Sequence, residues 1–170
     1  MKKLWAILLL CHAVTALAQT PVLQLTPRGF EPVTYTLPRI EGGKFVDLAR
    51  AWVTEQKRRH GQFDLSNVGA GTLTISGIEK NAFFYRSRGE TFQHKAKLVM
   101  KVDFTPTGYT LTLTVPEIYA EGDTPTQYTL PDYFDSNGNI KEGYDGLKTS
   151  IEATANDIAL NYYNFIINYK

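Results

Sequence analysis

Cysteine is almost missing from this chain of 170 residues: the only one, Cys11, falls within the first eighteen positions. Without that leading segment the chain forms no disulfide and offers no thiolate for a metal or a nucleophilic attack. Histidine is nearly as scarce, with His12 in the same segment and then only His60 and His94, a poor inventory for a transition-metal site. No HExxH pair occurs and no serine stands in a G-x-S-x-G elbow, so the zinc- and serine-hydrolase signatures are missing. Gly69-Ala70-Gly71 precedes a strand pattern rather than a helix, the wrong setting for a phosphate loop. An excess of one charge is also lacking. Setting aside Lys2 and Lys3 leaves sixteen basic against seventeen acidic side chains, which gives no pull toward nucleic acid or anionic lipid. After Ala18 no apolar run is long enough to span a membrane, and the chain has neither an internal repeat nor a low-complexity tract.

What is present starts at the N-terminus. Lys2 and Lys3 precede an apolar run from Leu4 to Leu10, and Ala16-Leu17-Ala18 supplies small residues at the spacing of a cleavage site. This layout predicts a secretory signal peptide over residues 1–18, cut after Ala18, and a periplasmic or secreted protein of a bacterial envelope. Lipidation at Cys11 fits less well, because Leu10 occupies the place of a small residue and the apolar stretch runs on through Val14 and Leu17. About 150 residues then remain, enough for one domain stabilised by its core alone.

Residues 19–32 carry Pro21, Pro27 and Pro32 and read as a loose leader, followed by one domain over 33–170. Val33, Tyr35 and Leu37 alternate with threonines, a strand pattern closed by Pro38. From about Lys44 to His60 the residues Phe45, Leu48, Ala49, Trp52 and Val53 repeat at helical spacing. Lys57, Arg58, Arg59 and His60 suit the negative end of that helix dipole, with Gly61 as the stop. Strand patterns follow at 63–68 and 72–78. Then come two long alternating strands around Thr105-Pro106-Thr107-Gly108, one from Phe92 to Phe104 and one from Tyr109 to Val115. A last helix spans roughly Leu147 to Tyr169, with its stripe at Leu147, Ile151, Ala155, Ile158, Tyr162 and Phe165. Two one-striped helices and a sheet with one apolar face belong together. The expectation is a two-layer α+β fold, a mainly antiparallel curved sheet with both helices on one face.

Three segments carry a resemblance: Phe45-Val46-Asp47-Leu48-Ala49-Arg50-Ala51-Trp52-Val53, Gly71-Thr72-Leu73-Thr74-Ile75-Ser76-Gly77, and the hairpin from Lys97 to Tyr119. They resemble a family of exported bacterial domains of unknown function whose fold is described as like that of the TATA-binding protein. The resemblance implies a fold and a compartment, and no activity.

Candidate sites fall on three surfaces. In Asp135-Ser136-Asn137-Gly138-Asn139-Ile140 the oxygen-bearing Asp135, Asn137 and Asn139 alternate as a calcium ion would want, and calcium is the one cofactor for which the sequence offers ligands. Against it, Ile140 stands where the loop glycine belongs and Glu142 arrives too early, so an Asn-Gly turn explains the same residues. The segment 116–146 interleaves acids, Glu117, Glu121, Asp123 and Asp132 among them, with Tyr119, Tyr128, Tyr133 and Tyr144. Rings beside carboxylates suit sugar or peptide binding, unless Tyr128-Thr129-Leu130 is a further strand and the rings plug the core edge. The outer sheet face carries Lys95, Lys97 and Lys101 among threonines, either a solvated face or a docking surface for an envelope protein or glycan. His94 falls on the apolar face by alternation, as a histidine at the sheet margin. The expectation is an exported, non-catalytic binding module without nucleic acid as partner. An envelope-glycan hydrolase using loop carboxylates, or a structural subunit of an envelope complex, are its alternatives. Oligomeric state is not written in the sequence.

Overall fold

The computed structural model describes residues 20–59, 63–120 and 124–168. The signal-peptide segment with Cys11, His60 and Gly61, Glu121 and Asp123, and Tyr169 lie outside the described residues. The chain forms β1 (Leu25–Thr26), β2 (Gly29–Phe30), β3 (Val33–Thr36), helix α1 (Gly42–Arg59), β4 (Phe63–Ser66), β5 (Thr72–Ser87), β6 (Glu90–Thr105), β7 (Gly108–Tyr119), a 3-10 turn at Leu130–Tyr133 and helix α2 (Leu147–Asn168). β1 and β2 make a small hairpin of their own. The other five strands form one curved antiparallel sheet in the order β3-β7-β6-β5-β4.

Strand alternation decides which face is buried. Along β6, His94, Ala96, Leu98, Met100, Val102 and Phe104 point inward while Lys95, Lys97 and Lys101 point out. Both helices cover the inner face, α1 through Phe45, Leu48, Ala49, Trp52 and Val53 as its period requires. On α2 the buried line is Leu147, Ile151, Ala155, Ala159, Tyr162 and Ile166, so Ile158 and Phe165 flank the stripe instead of forming it. The α+β two-layer architecture is as the sequence pattern requires. No helix among the described residues is long and apolar enough to cross a membrane.

Three local expectations are corrected. Residues 20–32 are no loose leader: Leu23, Leu25 and Phe30 are buried in the core. Asn156 of α2 clamps Leu23, accepting from its N–H at 2.7 Å and donating to its carbonyl at 2.9 Å, while Glu152 accepts from the Leu25 N–H at 2.8 Å. Side chains of a helix thus satisfy backbone that prolines keep out of the sheet. Second, the strand beginning at Thr72 runs on to Ser87, well past Ile78. Third, Tyr128-Thr129-Leu130 forms no strand; a 3-10 turn starts at Leu130 instead. Pro116 falls where β6 and β7 lose register between Lys97 and Val99, a bulge that absorbs a residue without an N–H. At Gly77 an added Cβ would lie 2.6 Å from the Phe63 ring, so the glycine makes room for the ring of its cross-strand partner.

Candidate ligand-binding site

β5 and β6 outrun their neighbours. β4 pairs with β5 only as far as Gly77, and β7 reaches β6 only as far as Lys95, so residues 80–94 project as a two-stranded arm. The arm begins at a bulge between Glu79 and Phe83 and ends in a two-residue turn, Arg88-Gly89, with both φ angles positive at 51° and 84°. That turn matches the right-handed twist of the strands it joins. Its other long edge is held by the residues that lead into α2. Ser150 Oγ accepts from the Phe84 N–H at 3.1 Å and donates to the Phe84 carbonyl at 2.8 Å, while Arg86 and Asp145 exchange two backbone bonds.

Period-two alternation places Phe83, Tyr85, Phe92 and His94 on one face of the arm. Their rings lie nearly parallel: Phe83 on His94 at 4.9 Å, His94 on Tyr85 at 5.3 Å and Tyr85 on Phe92 at 5.2 Å between centroids. Tyr144 meets Tyr85 edge-on at 4.9 Å, and Tyr133 meets Tyr144 edge-on at 5.0 Å. Such offset and edge-to-face pairs match positive ring edges to negative faces. Burial, and then the neighbouring tyrosines, raise the phenols of Tyr85 and Tyr133, so both stay neutral donors.

His94 stands in the middle of this slab. Its Nδ1 lies 3.2 Å from the Tyr119 carbonyl, which can only accept, so Nδ1 carries the proton. Nε2 is then an acceptor, buried and without a partner. Burial lowers the imidazole pKa, with the bond to Tyr119 opposing, and the ring is neutral at physiological pH. Beside it an open cleft of about 820 Å³ is lined by Tyr85, Glu90, Thr91, Phe92, Gln93, His94 and Ala120.

The sequence-derived candidates divide between this arm and other surfaces. Tyr133 is buried, Tyr144 half-buried, and Tyr128 is 57% exposed with its ring 6.1 Å from that of Tyr133, so three of the loop tyrosines do converge. Tyr119 turns its side chain to the outer face. Its hydroxyl donates to Glu117, Lys97 pairs with the same carboxylate at 2.9 Å, and the Lys95 ammonium sits 4.8 Å over the Tyr119 ring. Lys101 stands apart, paired with Asp103 at 2.9 Å. Asp132 accepts from the Thr129 N–H and hydroxyl, both at 2.7 Å, which holds the start of the 3-10 turn. Asp135 Oδ1 accepts from the N–H groups of Asn137 at 2.8 Å and Asn139 at 2.9 Å, and Gly138 takes φ +82°. The proposed calcium ligands thus form a closed Asx-type turn whose acid bonds its own backbone. Among the described residues no three or more His, Cys, Asp or Glu side chains gather as a metal would need.

Sequence reading missed Phe83 and Tyr85 because it ended β5 at Ile78. The signal was present in Phe83-x-Tyr85, the Arg88-Gly89 turn and Phe92-x-His94, an aromatic ladder either side of a two-residue hairpin loop.

No protein-family model matches the chain, and no curated protein matches it either. Among solved structures it is similar to the crystal structure of a DUF4468 family protein from Bacteroides ovatus, with a TM-score of 0.54 and 11% identity over 80% of this chain and 82% of that one. The likeness is one of fold, to a domain of unknown function.

Proposed function

We propose that this protein is an exported, non-catalytic binding module of the bacterial cell envelope and that the aromatic arm is its ligand face. One observation carries the reading. Phe92, 39% exposed, belongs to the same ring slab as His94, whose unpaired Nε2 borders a cleft that also offers Glu90, Thr91 and Gln93. The loop ring Tyr128 stands exposed on the neighbouring Tyr133. Exposed rings beside convergent polar groups suit a glycan, which stacks its C–H faces on rings and shares its hydroxyls with acceptors. Export rests on the signal-peptide layout, and the resemblance to an exported family agrees with it.

A glycan hydrolase built on the loop carboxylates is disfavoured by their electrostatics. Hydrogen bonds from Tyr119 and Lys97 lower the Glu117 pKa, bonds from Thr129 lower that of Asp132, and the Asn139 and Asn137 amides lower that of Asp135. A general acid needs the opposite shift. The test is a thermal-shift survey of envelope glycan fragments against the purified protein. A ligand at a hundred times its dissociation constant adds about 2.7 kcal/mol, several degrees in midpoint. A rise that disappears in Tyr128→Ala and Phe92→Ala supports the reading; a rise indifferent to both removes the arm from it.

A further inference from the structure

Away from the arm, a groove of about 350 Å³ opens between α1, α2 and the segment of β5 that enters the bulge. Its floor is Trp52 and Phe63, both buried, which meet edge to face at 5.7 Å. The Asn161 carbonyl accepts two bonds there, from Trp52 Nε1 at 2.8 Å and from Gln56 Nε2 at 3.0 Å. Those two bonds fix both amides. Gln56 is only 6% exposed, yet its Oε1 accepts no hydrogen bond among the described residues while its side chain lines the groove. A buried acceptor left open toward a cavity is a place prepared for a donor.

The rim explains which donor. Asp157 from α2 and Glu79 from β5 both border the groove, and neither forms an ion pair among the described residues. Glu79 accepts only a long 3.5 Å contact from the Asn81 N–H. No lysine or arginine lines the groove. Two carboxylates and an open amide carbonyl make a concave surface rich in acceptors and negative in charge, within a protein that is otherwise near neutral. Neutral hydroxyls would satisfy the hydrogen bonds but leave that charge uncompensated. An ammonium or guanidinium supplies donors and charge together, and an aromatic floor favours either cation. We propose that this groove binds a cationic nitrogen group, the guanidinium or primary ammonium of a small ligand or of a peptide side chain. Its volume lies near the lower end for ligand sites, which suits a head group with a short stem.

The test is calorimetric titration of the purified protein with agmatine and with putrescine, alongside the shift of the Trp52 indole N–H resonance. Saturable binding of either cation is expected, weakened about tenfold or more in Asp157→Asn and Glu79→Gln, and weakened again when salt rises from about 20 to about 300 mM. A preference for agmatine assigns a guanidinium pocket, and equal binding assigns an ammonium pocket; both support the proposal. Unchanged melting midpoints show that the variants are folded. His94→Phe leaves this binding intact, which separates the groove from the arm. Failure of both cations to bind, binding undiminished in both carboxylate variants, or equal binding of a neutral disaccharide overturns the proposal.

Discussion

At Gly108 a side chain would place its Cβ 2.5 Å from the carbonyl oxygen of Tyr35, the neighbouring strand's backbone, which has no rotamer by which to retreat. Gly108→Ala is therefore expected to destabilise the fold by about 1–3 kcal/mol, read as a lower urea midpoint at unchanged slope. His94 makes a second residue-scale prediction. Its folded pKa lies below the unfolded value, so the unfolded chain binds the proton first as pH falls. Stability from this site is full above pH about 6.5 and declines below it toward the folded pKa. The urea midpoint should drop between pH 7.5 and 5.5, and His94→Phe should flatten that drop; an unaltered slope in the variant would show that His94 does not titrate this way. Alternation alone had placed His94 on the apolar face, correctly. What it could not show was the Tyr119 carbonyl at Nδ1, a contact fixed by how far β7 extends along β6.

The two-stranded arm makes its prediction at the scale of an element. Ser150 replaces a missing strand at the edge of β5, satisfying both the N–H and the carbonyl of Phe84. Ser150→Ala leaves those groups half-buried and unpaired, a loss of about 1–3 kcal/mol that belongs to the arm first. Hydrogen exchange should accelerate at the Phe84 amide and its arm neighbours while Leu73, Val102 and Leu111 stay protected. Uniform acceleration across the sheet would mean the arm has no independent opening. The same element marks the limit of sequence reading. Strict alternation in β6 and β7 gave their faces and the turn between them, because one face is buried and the other wet. β5 broke that rule at Lys80-Asn81-Ala82, where the bulge puts Ala82 and Phe83 inward in succession and ends the period-two signal. The leader failed for a related reason: three prolines argue against a sheet, yet Asn156 and Glu152 on α2 provide partners no local pattern reveals.

For the whole molecule, the fold is a two-layer shell with one uncovered sheet face. On that face Thr34 and Thr110 bond each other at 3.0 Å and Lys97 and Lys101 each pair with a carboxylate. The arm is different: its rings reach the surface and one buried acceptor is open. The proposal makes the protein an envelope component, so intact-mass analysis of the envelope fraction should find a chain starting at Gln19. A full-length chain confined to the cytoplasm would refute export. The most direct test of the central claim is a map of amide chemical shifts on adding the glycan fragment that raises the melting midpoint most. The account predicts shifts concentrated at residues 83–94 and 126–146, abolished in Tyr128→Ala. Shifts centred on Lys97, Lys101 and Thr112 of the outer face would contradict it.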